Sequence, residues 1–269
     1  MSNADEDKKL ASILTKPDFV PHTVPWTQAY ADYRNVCGDP WQISPAVFQP
    51  PIRKAQLKLY ISRQGGGPLK RIRYTPGLLC CPMCGSPSRG SLDHYLPRED
   101  FPEFAVLPAN LLPACSLCNS GAKGRTFKGA ISGERFLHPY FDTCAKDKIW
   151  RIRIDGHPAA PLFAAVPEPG LAKSLRLMIV FHLDNILGTA FETAIATIWS
   201  NLPEALADDI QNVGLNGKQA LDRHYRDTVV TQGLNSWRAA LLRGVNANDA
   251  ALDHVAAAAA KVTLPDIKF

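Results

Sequence analysis

Hydrophobic and polar positions change their spacing along the chain, and each change predicts a different kind of segment. From Thr27 to Val36 and from Ile52 to Arg63, apolar side chains such as Ile52, Leu57, Tyr60 and Ile61 recur at helical spacing. GGGP at 65–68 interrupts that pattern, and KRIRYTP after it predicts a short strand or extended arm. Residues 76–145 hold only short apolar runs among Cys, Gly, Pro, Ser and Asn, too little to build a core unaided. IWRIRI at 149–154 alternates as a strand does, and DGH predicts a turn toward a second strand at PLFAAV. Beyond Pro169 the helical period returns: Leu171, Leu175, Ile179, Leu183 and Ile186; Phe191, Ile195, Ile198, Trp199 and Leu202; Leu221, Tyr225 and Val229; Leu234, Trp237, Leu241 and Val245. An alanine-rich helix around residues 250–261 closes the series. The pattern predicts an α+β chain in three regions. These are a partly helical, basic segment over 1–75, a cysteine-rich segment over 76–145, and a hairpin followed by a helical subdomain over 146–269.

A chain of 269 residues with 46 % hydrophobic side chains is long enough to bury a core. No secretory hydrophobic region and no run of eighteen apolar residues occurs, so the expectation is a cytoplasmic protein with no membrane role. The net charge of +5 is unevenly placed, because residues 40–92 carry eight basic side chains and no acidic one. Arg53, Lys54, Lys58, Arg63, Lys70, Arg71 and Arg73 suit phosphate contact; the plainer reading is a solvated basic face.

Seven cysteines is an odd number, and four of them form two C-x-x-C pairs, Cys81/Cys84 and Cys115/Cys118, separated by 30 residues. Without a signal peptide this pattern favours a metal over a disulfide framework. Four thiolates close a tetrahedral zinc site and leave no position for a reactive water, so the role expected for Zn2+ is structural. A redox reading is weaker, because no thioredoxin-like βαβ pattern surrounds either pair. Cys80 adjoins Cys81 but lacks the pair spacing, and Gly85 suits the tight turn of a zinc knuckle.

Between the pairs, a strand through Ser91–Tyr95, a second near Asn110–Leu112 and a helix from Ser116 would form a ββα unit. Asp93 on the strand and Asn119 on the helix could then share one hard cation, Mg2+ or Mn2+. His94, on the other face of the strand, would reach a water beside that cation only if the strand is distorted or lies at an edge. His138 could line the same cleft, though a packed histidine is the plainer reading.

The order Cys-x-x-Cys, Asp93-His94-x-x-Pro97, Asn110, Cys115-Ser-Leu-Cys118-Asn119 and a following basic residue resembles the HNH endonucleases of the ββα-metal class in their four-cysteine, zinc-stabilised form. The resemblance covers about residues 80–125. It implies that His94 is the general base, that Asp93 and Asn119 hold the catalytic divalent cation, and that Asn110 orders the loop and catalytic strand by hydrogen bonding. It also implies that Cys81, Cys84, Cys115 and Cys118 hold zinc. Asn119 departs from the last histidine of the family name, which bears on metal preference. The implied reaction is hydrolysis of nucleic-acid phosphodiesters, DNA above all, leaving 5′-phosphate and 3′-hydroxyl ends. Lys123, Arg125, Lys70, Arg71 and Arg73 are candidates to hold nucleic acid. Small HNH proteins resemble effectors of restriction or antiphage systems that work with an ATPase or sensor, and the helical C-terminal region suits such a partner or a second copy of the chain. The alternative is a non-catalytic zinc-ribbon module that binds nucleic acid or protein.

Overall fold

The computed structural model of the chain describes residues 3–63 and 65–265, apart from the side chains of Ser120 and Ala122. It divides into two compact units: residues up to Met83 with Ser88–Ala145, and Cys84–Pro87 with the residues from Lys146 on. The architecture is mixed α/β, with two separate two-stranded antiparallel sheets among helices. No helix among the described residues is long and apolar enough to cross a membrane.

The first unit opens with α1 (Asn3–Leu14), which the periodicity did not predict, and α2 (Thr23–Asn35). α2 buries Trp26, Ala29, Tyr30 and Tyr33, the spacing of one helical face. Arg34 at its end pairs with Glu6 (3.2 Å) and Asp7 (2.8 Å) on α1. α3 (Pro50–Arg63) follows where the sequence predicts it. KRIRYTP corrects the expectation of a strand, because residues Gly67–Arg73 form α4. Pro68 sits in the first turn, where its missing N–H costs nothing, and Lys70, Arg71 and Arg73 lie at the carbonyl end, where cations are favoured. Leu69 is buried, and the helix packs against the first hairpin.

That hairpin pairs β1 (Ser91–His94) with β2 (Leu111–Ala114), in the register Ser91↔Ala114, Leu92↔Pro113, Asp93↔Leu112 and His94↔Leu111. Pro113 is tolerated because each strand of a two-stranded sheet has one unpaired edge. All four residues of β2 and three of the four in β1 are buried, so both faces of this small sheet are covered.

The second unit is built on β3 (Trp150–Asp155) and β4 (Leu162–Pro167), where the alternation of IWRIRI predicted a hairpin. Trp150, Ile152 and Ile154 point into its core. Helices α5 (Lys173–Ile186), α6 (Thr189–Ser200), α7 (Leu202–Gln211), α8 (Gly217–Gln232), α9 (Trp237–Asn246) and α10 (Asp249–Ala259) complete it. Asn216 and Gln219 form a capping box on α8, and the side chains of Ser236 and Asn248 cap α9 and α10. α9 lies so close to β3 that a Cβ on Gly244 would come within 1.9 Å of the Ile152 carbonyl oxygen. The Cys84–Pro87 segment is fixed here: Trp237 donates its ring N–H to Cys84 O (2.6 Å) and its backbone N–H to Gly85 O (3.1 Å). Gly85 takes φ +80°, and a side chain there would strike Asn235 O at 2.2 Å, so the turn requires glycine.

Candidate functional site

The four paired cysteines meet. The Sγ atoms of Cys81, Cys84, Cys115 and Cys118 all lie within 4.8 Å of one another, and all four residues are buried. Cys81 and Cys118 are 3.9 Å apart, and Cys115 and Cys118 3.5 Å. A tetrahedron with metal–sulfur bonds of about 2.3 Å has sulfur–sulfur edges of about 3.8 Å, so the cluster can hold a metal ion such as zinc. Two backbone N–H groups, of Ser86 on Cys84 Sγ and of Cys115 on Cys81 Sγ (both 3.4 Å), support thiolate character. Cys80 stays outside the cluster, and burial, with its neighbour Cys81, pushes its thiol up to about 11.

Nine residues beyond Cys84, β1 presents Asp93 and His94. Asp93 is 4 % exposed, and its Oδ2 pairs with Lys123 Nζ at 3.1 Å. Burial raises the Asp93 pKa, and the ammonium opposes that rise. Lys123 is itself only 1 % exposed and also donates to the His94 carbonyl oxygen (2.7 Å), so its charge is committed to β1. This is a different position from the phosphate contact that its spacing suggested. Arg125, paired there with it, is 69 % exposed at the side chain and bonded to Asp100.

His94 is 7 % exposed, with its Nε2 3.0 Å from Ala105 O and its ring edge-on to Tyr60 of α3 (4.5 Å between centroids). A carbonyl oxygen only accepts, so Nε2 carries the proton and Nδ1 keeps the lone pair. Burial pulls the His94 pKa down to about 4, and the imidazole is neutral at physiological pH. Asn119 is exposed and donates its side-chain N–H to Ser91 Oγ (2.7 Å), which leaves its amide oxygen as an acceptor. Asp93 and Asn119 both carry oxygen donors of the hard type, and in the structure Asp93 turns to Lys123 while Asn119 bonds to Ser91 at the start of β1. The chain turns helical at Ser116, where the sequence predicts a helix, and Asn119 lies in the π-helical turn that follows, Cys118–Ala122, kinked at Gly121.

Asn110 lies in the short helical turn Pro108–Asn110 and clamps the exit of β1. Its Oδ1 accepts the Leu96 N–H (2.8 Å), and its Nδ2 donates to Leu96 O (3.1 Å) and Phe104 O (3.3 Å). Lys70 and Arg71 on α4 are exposed, and Arg73 is half-buried. His138 is fully buried, as the plainer sequence reading expected. Tyr60 and the Ala105 carbonyl carried no sequence signal, because Tyr60 belongs to the apolar stripe of α3 and a backbone oxygen has no side-chain identity.

No family model and no solved structure matches the chain. A 63-residue stretch, 23 % of the chain, is 43 % identical to protein ea31 of Escherichia phage lambda. That stretch amounts to 21 % of the phage protein's length.

Proposed function

We propose that the protein is a metal-dependent endonuclease of the HNH type, with His94 as general base, Asp93 and Asn119 as cation ligands and the cysteine cluster as a structural zinc site. One observation carries this reading: His94, neutral and fixed through Nε2 to Ala105 O so that Nδ1 is the basic atom, follows Asp93 on a strand paired to the one that leads into Cys115, and Asn119 of the π-helical turn bonds to Ser91 at the start of that strand. Bound by Asp93 and Asn119, a divalent cation would lower the pKa of water and offset the charge that develops on the phosphate. His94 then accepts the water's proton at Nδ1, while Asn110 holds the strand exit in register. Lys70, Arg71, Arg73 and Arg125 supply the cationic surface for nucleic acid, DNA first. A role in restriction or antiphage defence, with an ATPase or sensor as partner, extends the same reading.

A second reading has its own support. Asp93 and His94 are almost fully buried, Asp93 already has Lys123 as counter-ion and Tyr60 lies against His94, as in a non-catalytic zinc module. Incubating supercoiled plasmid and single-stranded DNA and RNA with the zinc-loaded protein in Mg2+, Mn2+ or EDTA separates the two. Cation-dependent cleavage leaving 5′-phosphate ends is the expected result, and an Asp93→Ala protein should lose it. Binding without cleavage of any of these substrates would favour the zinc module.

A further inference from the structure

A buried polar chain in the first unit lies behind the clamp residue Asn110. His138 packs against the rings of Tyr95 (4.2 Å between centroids) and Phe141 (4.6 Å). Its Nδ1 accepts the Tyr140 backbone N–H at 3.3 Å, and burial drives its pKa down to about 3, so the ring holds one proton, on Nε2. Nε2 lies 3.1 Å from the Tyr33 hydroxyl, which therefore accepts from it. The hydroxyl's own proton can only go to the Pro108–Asn110 turn, where Asn110 Oδ1 is 3.2 Å and Ala109 O 3.4 Å away. An oxygen of Asn110 that accepts from Tyr33 and from Leu96 N–H forces the amide nitrogen toward Leu96 O and Phe104 O. Gly38 (φ +73°) makes room for this arrangement, since a Cβ there would come within 2.9 Å of the Tyr33 ring and 3.0 Å of His138.

We infer that Tyr33 and His138 are positioning residues, which hold the Asn110 amide in the one orientation that clamps Leu96 and thereby fix the strand bearing Asp93 and His94. The hydrogen-bond chain stands on the geometry alone, and its catalytic consequence rests on the nuclease reading. Buried polar side chains cost desolvation that Phe and Leu at the same places would avoid, and a directed chain offsets that cost only when every member is satisfied.

The test uses the zinc-loaded chain and three variants. Tyr33→Phe removes one oxygen and keeps the ring. It should lower kcat on plasmid about tenfold or more with KM nearly unchanged, the scale of a slightly misplaced catalytic group. The Asn110 side-chain amide protons, followed by NMR, should exchange about tenfold faster in that variant than in wild type, with zinc content kept. His138→Gln, whose amide N–H can stand in for Nε2–H, should retain most of kcat, whereas His138→Leu should fall with Tyr33→Phe. Unchanged Asn110 exchange in Tyr33→Phe overturns the inference, and so does faster exchange with unchanged kcat. If the wild-type protein cleaves nothing, the nuclease reading fails and the exchange rates alone decide the chain. If His138→Leu does not fold, Tyr33→Phe carries the test.

Discussion

β1–β2 and β3–β4 are both two-stranded antiparallel hairpins, yet different chemistry holds each of them. β3 alternates buried Trp150, Ile152 and Ile154 with more exposed Arg151 and Arg153, and α9 covers its apolar face through the close approach at Gly244. β1 is buried on both faces, although two of its four residues are Asp93 and His94. Its surroundings supply a polar partner for each: Lys123 for Asp93, Ala105 O for His94, and the Asn110 clamp for the strand exit. This hairpin buries Leu92, Leu111, Leu112 and Ala114 as well, but its two polar side chains add a desolvation cost, and the cysteine cluster is the device beside it that can help offset that cost. Buried polar groups are costly, so their concentration in β1 is what the proposed nuclease role would account for, whereas packing alone accounts for β3.

Metal removal should separate the two hairpins most strongly. Structural zinc in small cysteine sites contributes about 10–16 kcal/mol of apparent binding energy, which is also folding energy. Chelation, or the double change Cys81→Ser and Cys118→Ser, should therefore abolish hydrogen-exchange protection of residues 91–114 before that of residues 150–167. Zinc content near one per chain, measured by mass spectrometry, should fall in step.

Next in size is the buried ion pair. Lys123→Met leaves the Asp93 carboxylate buried without its counter-ion and should cost about 3–5 kcal/mol in urea unfolding. Adding Asp93→Asn should recover part of that loss, because neither charge then remains unpaired. A smaller effect of steric origin is expected in the other hairpin. Gly244→Ala forces a methyl group into the Ile152 carbonyl and should cost about 1–3 kcal/mol while leaving zinc content unchanged.

A pH slope offers a further check, modest over any one pH unit. His94 and His138 have folded pKa values of about 4 and about 3, below the unfolded value of 6.5, so the unfolded state binds more protons as the solution is acidified. Their contribution is fully present above about pH 6.5 and is lost as pH falls toward the folded values. Each histidine should add a slope of about 1.4 kcal/mol per pH unit in that window. The difference between wild type and His138→Gln in urea unfolding, measured at several pH values from about 6 to 4, isolates one of them.

What the sequence revealed follows from the range of the interactions involved. The cysteine pairs, the Asp-His dipeptide and the alternation of IWRIRI are local signals, and the structure places the cysteines together and forms both hairpins where these signals fall. KRIRYTP failed because alternating Arg and Ile mimic a strand, whereas Pro68 and the absence of a pairing partner among the described residues favour a turn of helix. The Lys123 pairing could not be read, since a basic residue after Asn119 looks the same whether it faces solvent or folds back 30 positions to Asp93. Tyr33 meets Asn110 across 77 residues and His138 across 105, and neither carries a motif, so only the three-dimensional arrangement reveals them.

If the stapled hairpin presents His94 as a base, as proposed, removing the imidazole alone should abolish cleavage. Wild-type and His94→Ala proteins, matched for zinc content and thermal stability, are followed against supercoiled plasmid in Mn2+. Nicking or linearisation by wild type is expected, with a loss of about a hundredfold or more in the variant, the scale of removing a general base. Equal cleavage by the two proteins would contradict that role for His94.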